Sequence, residues 1–266
     1  MTKNIVAGGC SFTYGHELSD CNREKSPASK LTWSSILTKD TGADYHCTAG
    51  AGIGNSAIAR RIFEFVTNYD THAVVVMWTF PSRYDWAMPR HNNLEKGRWA
   101  PITPWDTSTE QNKVLATLKD NDAQKQIWLK RMERLQDTGV VEFADSLYRH
   151  AANQYHEVYL SWQSIIWLQN ILEKKNIPYF FTLASNTLFY DEFTPHFQTD
   201  TLLSSMYKEI NFTNWFWFGE RMMGFDQWAL LNKYDRGTTH PLDSAHQDAV
   251  KLMKTKFLQT IKNQGE

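Results

Sequence analysis

The segment Asn4-Ile-Val-Ala-Gly-Gly-Cys-Ser-Phe-Thr-Tyr-Gly15 decides the fold. Ile5, Val6 and Ala7 form a short apolar run, the pattern of a buried strand. Gly8 and Gly9 break that run, and Gly15 closes the turn after it. Ser11 stands where the backbone leaves the sheet. In open α/β folds the reactive crevice lies beyond the carboxyl ends of the strands. A hydroxyl there, on a turn loosened by glycines, is a candidate nucleophile. The same hydroxyl, or that of Thr13, would also suit a helix cap.

Working outward, the chain alternates strand and helix. Leu31, Trp33, Ile36 and Leu37 recur at helical spacing, and Thr41-Gly42 stops that helix. Ala43–Ala49 reads as a second strand, followed by the loop Gly50-Ala-Gly-Ile-Gly-Asn55. Ile58, Ile62, Phe65, Val66 and Tyr69 then mark one face of a helix. Ala73–Thr79 is continuously apolar until its last residue, as a central parallel strand buried on both faces should be. Residues 151–174 form a long amphipathic helix that Asn176-Ile-Pro178 ends. Tyr179–Ala184 is a fourth strand, residues 187–236 read as irregular and aromatic, and a last helix starts at Pro241. This order predicts an α/β fold: a three-layer α/β/α, flavodoxin-like sandwich on a central parallel sheet. Residues 80–150 interrupt the rhythm without linker composition on either side. They read as a large insertion after the third strand, within a single domain spanning 1–266.

Composition narrows the function classes. The formal charge is −1, from 28 basic and 29 acidic residues. No basic field predicts nucleic acid as a partner. No apolar run reaches the roughly 20 residues that span a bilayer. The N-terminus lacks a signal-peptide core. Cys10, Cys21 and Cys47 have no metal-like spacing and read as reduced thiols. The expectation is a cytoplasmic protein, virion-associated if its source is viral, with no membrane partner, metal or cofactor. Oligomeric state is not legible. Aromatic content is high, with 11 Trp, 11 Tyr and 15 Phe.

The strand exits carry the chemistry: Ser11, the Gly50–Asn55 loop, Thr79 and Ser185. Just before the last helix stands Thr238-Thr-His-Pro-Leu-Asp-Ser-Ala-His246. A histidine in a loop at a helix mouth suits a general base, and Pro241 fixes the loop after His240.

These blocks resemble the SGNH, or GDSL-like, hydrolase superfamily. Gly9-Cys10-Ser11 matches the Gly-Asp-Ser block, with Cys10 for the aspartate. Cys47-Thr-Ala-Gly-Ala-Gly-Ile-Gly-Asn55 is similar to the second block. There the resemblance implies Gly52 as an oxyanion-hole glycine and Asn55 as a substrate-side polar group. The third block, Gly-x-Asn-Asp, falls on Met77-Trp-Thr-Phe80, so Thr79 replaces the oxyanion asparagine. Trp78-Thr-Phe-Pro-Ser-Arg83 resembles a Trp-Thr-x-Pro-x-Arg variant of phage and bacterial relatives. His240, Pro241 and His246 match the last block. The family aspartate three residues before the histidine is Gly237 here. Asp235 is the nearest substitute, and Asp243 with His246 offers the same spacing one step later. A Ser–His dyad without an acid is a third arrangement.

The resemblance implies a serine esterase: Ser11 as nucleophile, His240 as base, Asp235 as acid, with Gly52 and Thr79 at the oxyanion. Asn55 and Arg83 are candidate substrate contacts. The expected partner is a small-molecule or glycan ester, such as an O-acetylated carbohydrate, given the Trp- and Arg-rich insertion. Arg60, Arg61, Arg83 and Arg90 suit a phosphate or carboxylate equally. The alternative is a non-catalytic glycan-binding or virion structural protein on the same scaffold, given the three departures at Cys10, Thr79 and Gly237. A flavodoxin-like nucleotide binder fits less well, because the first loop lacks a Gly-x-x-x-x-Gly-Lys phosphate cradle.

Overall fold

The computed structural model describes residues 3–21, 27–88, 99–118, 122–190 and 200–263. The first strand, β1 (Asn4–Gly9), is hydrogen-bonded on both sides. It pairs in parallel with β2 (Asp44–Cys47) and with β3 (Thr71–Trp78), and β3 pairs in parallel with β6 (Tyr179–Leu183). The sheet order is β2-β1-β3-β6. The chain therefore moves outward from β1 to β2 and then returns across β1 to β3. That reversal leaves a crevice at the carboxyl end of β1, the place where open α/β sheets bind ligands.

Side-chain alternation splits the sheet into two apolar faces. Val6, Val74, Val76, Trp78, Tyr179 and Phe181 face α3 (Asn55–Asn68) and α7 (Gln154–Lys174). Ile5, Ala7, Val75, Met77 and Phe180 face α2 (Trp33–Thr38), α9 (Phe225–Leu231) and α10 (Asp243–Asn263). The result is the expected α/β/α sandwich. Val74, Val75, Val76 and Met77 are fully buried. Each such side chain contributes about 1.5–3 kcal/mol, which is why β3 reads as an unbroken apolar run from Ala73 to Trp78.

Between β3 and α7 the chain forms a separate hairpin, β4 (Tyr84–Ala87) with β5 (Trp99–Ile102), and three helices. These are α4 (Ser108–Thr117), α5 (Asp122–Asp137) and α6 (Val140–His150). Tyr84, Ala100, Ile102, Val140 and Ala144 give this segment a small core of its own.

Two sequence expectations change. Residues 187–236 are not wholly irregular: α8 (Thr201–Glu209) and α9 lie within them. Both are short, and α9 packs through Phe225, Trp228 and Ala229, so neither has a long periodic signal. The last helix begins at Asp243, not Pro241, because Pro241 forms an antiparallel bridge with Arg236. Among the described residues, no helix is long and apolar enough to cross a membrane.

His246 belongs to this scaffold. It lies in the first turn of α10, is 1% exposed, and packs on Phe225 with ring centroids 4.8 Å apart. Its Nδ1 accepts the backbone N–H of Trp33 at 3.0 Å. That N–H belongs to the first turn of α2, where helices leave donors without an internal partner. An accepting Nδ1 requires a neutral ring. Burial, against the opposing pull of Asp243, drives the imidazole pKa down from 6.5 to about 3.

The unfolded chain thus binds a proton between these two values that the folded chain refuses. Stability is full above pH 6.5 and declines as the pH falls toward 3. Replacing His246 with Phe strands the Trp33 N–H, and is expected to cost about 1–3 kcal/mol near neutral pH. It is also expected to flatten the acid decline. Urea unfolding at neutral and mildly acidic pH measures both effects; an acid slope unchanged in the variant would place its origin elsewhere.

Candidate active site

Ser11 opens α1 (Ser11–Tyr14), a single four-residue turn directly after β1. Cys10 precedes it in extended conformation, buried in the core beneath the turn. Gly15, in the left-handed region, ends the turn by returning its N–H to Ser11 O. Glu17 follows, also left-handed at φ 74°. A residue other than glycine in that region is uncommon and strained. The reversal brings the Glu17 carboxylate back toward the loop before α10.

That loop supplies His240. Its Nε2 lies 2.7 Å from Ser11 Oγ, and its Nδ1 lies 2.8 Å from Glu17 Oε2. Glu17 also accepts the backbone N–H groups of Thr238, Thr239 and His240, each at 3.1 Å. One carboxylate therefore holds both the imidazole and the loop that carries it. The His240 ring packs edge-on against Phe12 and His16. Burial alone would raise the Glu17 pKa, but the hydrogen bonds from Thr239, His240 and Thr238 outweigh it. The carboxyl falls from 4.5 to about 2 and is ionised across the neutral range.

The carboxylate at His240 is thus Glu17 and not Asp235. Asp235 is exposed, and its carbonyl accepts the N–H of Leu242. Asp243 is engaged elsewhere, with the N–H and hydroxyl of Ser19. The physical reason sits at Gly237, where the family pattern has its acid. A Cβ built on Gly237 would lie only 2.7 Å from Glu17 Oε2. The bare glycine leaves the volume that Glu17 fills from the opposite side of the loop. The missing acid at Gly237 was the available sequence signal; a carboxylate six residues after Ser11 was its complement.

The other expected site residues divide. Gly52, at φ 77°, lines the same cavity as Ser11, His240 and Arg83. Thr79 does not line it. Thr79 is fully buried, its N–H donates to Asn55 Oδ1 at 2.8 Å, and its hydroxyl has no partner among the described residues. Asn55 is not free to meet a substrate. Its Nδ2 donates to Thr79 O and to Ser161 Oγ, so the amide ties the exit of β3 to α3 and α7. Asn186, just after β6, bonds Arg221 O and Gln227. Arg60 pairs with Asp85 and lies over Trp99, and Arg61 holds Thr48 O. Arg90 lies outside the described residues.

The cavity measures about 1280 Å³. Ser11, Phe80, Trp105 and Trp128 contribute to its walls, so the 80–150 segment covers the crevice that β1 opens. Among the described residues, no group of three or more His, Cys, Asp or Glu side chains could hold a metal.

No family model matches the sequence, and no curated protein matches it. Solved structures similar to the chain include a carbohydrate esterase family 2 enzyme with its carbohydrate-binding domain from Corynascus thermopiles (Myceliophthora fergusii). It has 11% identity and a TM-score of 0.47, covering 98% of this chain and 67% of that one. A psychrotrophic esterase from Pseudoalteromonas has 10% identity and a TM-score of 0.43, covering 98% and 97%. A GDSL-like lipase from Bacteroides thetaiotaomicron has 13% identity and a TM-score of 0.42, covering 97% and 88%. At such scores these likenesses carry no argument about what this chain binds or does.

Proposed function

We propose that the chain is a serine esterase that transfers an acyl group to water through Ser11. The observation that carries this reading is the continuous chain of hydrogen bonds from Ser11 Oγ through His240 to Glu17. In its first step Ser11 Oγ attacks the ester carbonyl carbon while its proton passes to His240 Nε2. The C–O bond to the alcohol then breaks, and the alcohol leaves with that proton. Water adds to the acyl-serine, again losing a proton to His240. The carboxylic acid departs and Ser11 regains its hydrogen. Glu17 keeps Nδ1 protonated, which leaves Nε2 as the acceptor, and balances the imidazolium that forms.

The amide N–H groups of Ser11 and Gly52 are the oxyanion donors in this reading. Thr79 drops out because its side chain is buried away from the cavity. One donor of this type is worth on the order of 10²–10³ in turnover. A slow enzyme, best on activated esters, follows.

The missing third donor favours one second reading, a glycan-binding protein on an esterase scaffold. A burst assay with p-nitrophenyl acetate separates the two. The esterase reading expects a Ser11-dependent burst and a fall of at least about 10³ in turnover for Ser11→Ala. A folded parent protein with no burst, or a Ser11→Ala variant that retains it, removes the esterase reading.

Glu17→Gln is expected to lower kcat by on the order of 10³–10⁴, as loss of the orienting carboxylate does in such triads. Asp235→Asn is expected to leave it within about twofold, as exposed surface changes do. The reverse ranking would return the acid role to Asp235. Acid stability checks the same carboxylate independently. The Glu17 pKa is depressed when folded, so its contribution is full above about 4.5 and is lost as the pH falls through about 2. Thermal melts of Glu17→Gln should therefore lack that part of the acid destabilisation.

A further inference from the structure

Arg83 is the cavity residue whose chemistry the acyl-transfer reading leaves unused. Its Nε and Nη1 are buried and have no hydrogen-bond partner among the described residues. Together they carry three N–H donors. Buried donors left unmade are costly, more so on a cation. Of the other guanidiniums on the cavity wall, Arg134 is exposed and Arg131 is committed. Arg131 meets Asp106 at 3.1 Å, and Asp106 is held in turn by the N–H and hydroxyl of Thr103. Asp226, on the same cavity wall, pairs with Arg236 at 2.8 Å.

The position of Arg83 is built rather than loose. A Cβ on Gly54 would lie 2.2 Å from Arg83 O, so the segment after β3 presses directly on the start of α3. From the other side the Tyr148 hydroxyl lies 2.7 Å from Ser82 O. The guanidinium sits over the Phe80 ring at 4.9 Å and near the Trp105 ring at 5.5 Å. Aromatic faces orient a guanidinium and leave its N–H edge for a ligand. Phe80 in turn adjoins Phe12, the residue next to Ser11, with ring centroids 6.5 Å apart. Ester site, aromatic surface and cation thus follow one another along a single wall.

Building on the esterase reading, we propose that the substrate is an ester bearing a carboxylate, which seats against the Arg83 guanidinium on the cavity wall while its ester lies at Ser11. A flat carboxylate matches the planar guanidinium, and the rings of Phe80 and Trp105 receive the body of the substrate. The site therefore selects anionic over neutral esters of the same shape.

The test is a matched series: 4-acetoxybenzoate, 4-acetoxyphenylacetate and 3-(4-acetoxyphenyl)propanoate, each beside its methyl ester, with 4-acetoxyphenyl phosphate as a further arm. For at least one member, kcat/KM for the acid should exceed that for its methyl ester by about tenfold or more, the scale of a charge-assisted contact. Arg83→Gln should bring that ratio to about one or below, and Arg83→Lys should keep part of it. Each ratio is internal to one protein, so partial unfolding of a variant does not move it. Ratios near one throughout the parent series, or a ratio unchanged in Arg83→Gln, overturn the carboxylate site. A preference for the phosphate over every carboxylate overturns the choice of anion. Calorimetric titration of the same pairs into Ser11→Ala protein isolates binding from chemistry. Acid-selective binding there, with no turnover by the parent, sinks the esterase reading and keeps the Arg83 site; unselective turnover does the reverse.

Discussion

The contact between Ser11 Oγ and His240 Nε2 joins two residues 229 positions apart, and the surrounding structure is arranged to hold it. Ser11 cannot move far, because β1 is paired on both sides and α1 is a single turn fixed at both ends. His240 rides on the loop between α9 and α10, which the Arg236–Pro241 bridge and the Leu242 N–H bond to Asp235 O fold back on itself. Glu17 ties that loop to the segment after Ser11, accepting three consecutive backbone N–H groups of the loop as well as the imidazole. The acid is therefore both an electrostatic partner and a clamp. Its strained left-handed backbone is compensated by four hydrogen bonds, the kind of over-determination that keeps such residues in place.

The carboxylate at His240 Nδ1 comes from the segment after Ser11. The SGNH pattern that the sequence resembles puts it on the histidine's own loop. Here that position is Gly237, and any side chain there would collide with Glu17. The two solutions exclude each other by volume. What the reaction requires is a carboxylate at Nδ1; the backbone from which it comes is a matter of which loop has room.

The four strands of the central sheet and the four main helices were legible because burial leaves a period in the residues: β3 apolar from Ala73 to Trp78, α3 and α10 striped on one face. The serine and the histidine were legible because they stand at strand and helix boundaries. Glu17 was not, since a single acid in a polar loop has no pattern. Asn55 and Thr79 misled for a different reason. Both stand at strand or helix ends, the usual address of functional groups, yet both are buried, and the Asn55 amide closes on the backbone N–H and carbonyl of Thr79. A polar residue at a strand exit can satisfy the scaffold or the substrate, and only the count of partners separates the two. Short helices such as α9 escaped notice because seven residues are too few to reveal a helical period.

The same count of partners gives the cavity its character. In the esterase we propose, Thr79 is turned away and charge developing on the carbonyl oxygen would meet two backbone donors rather than three. The deficit has to be made up by binding energy realised far from the reacting bond, where contacts with the rest of the substrate hold the ester against Ser11. The wall running from Phe12 over Phe80 to Arg83 is suited to that task, because it ends in a cation that has donors without a hydrogen-bond partner among the described residues. A large cavity with a sparse oxyanion site is then a coherent design. Orientation by a distant anchor replaces part of the local stabilisation, and small neutral esters, which cannot reach that anchor, gain least from it.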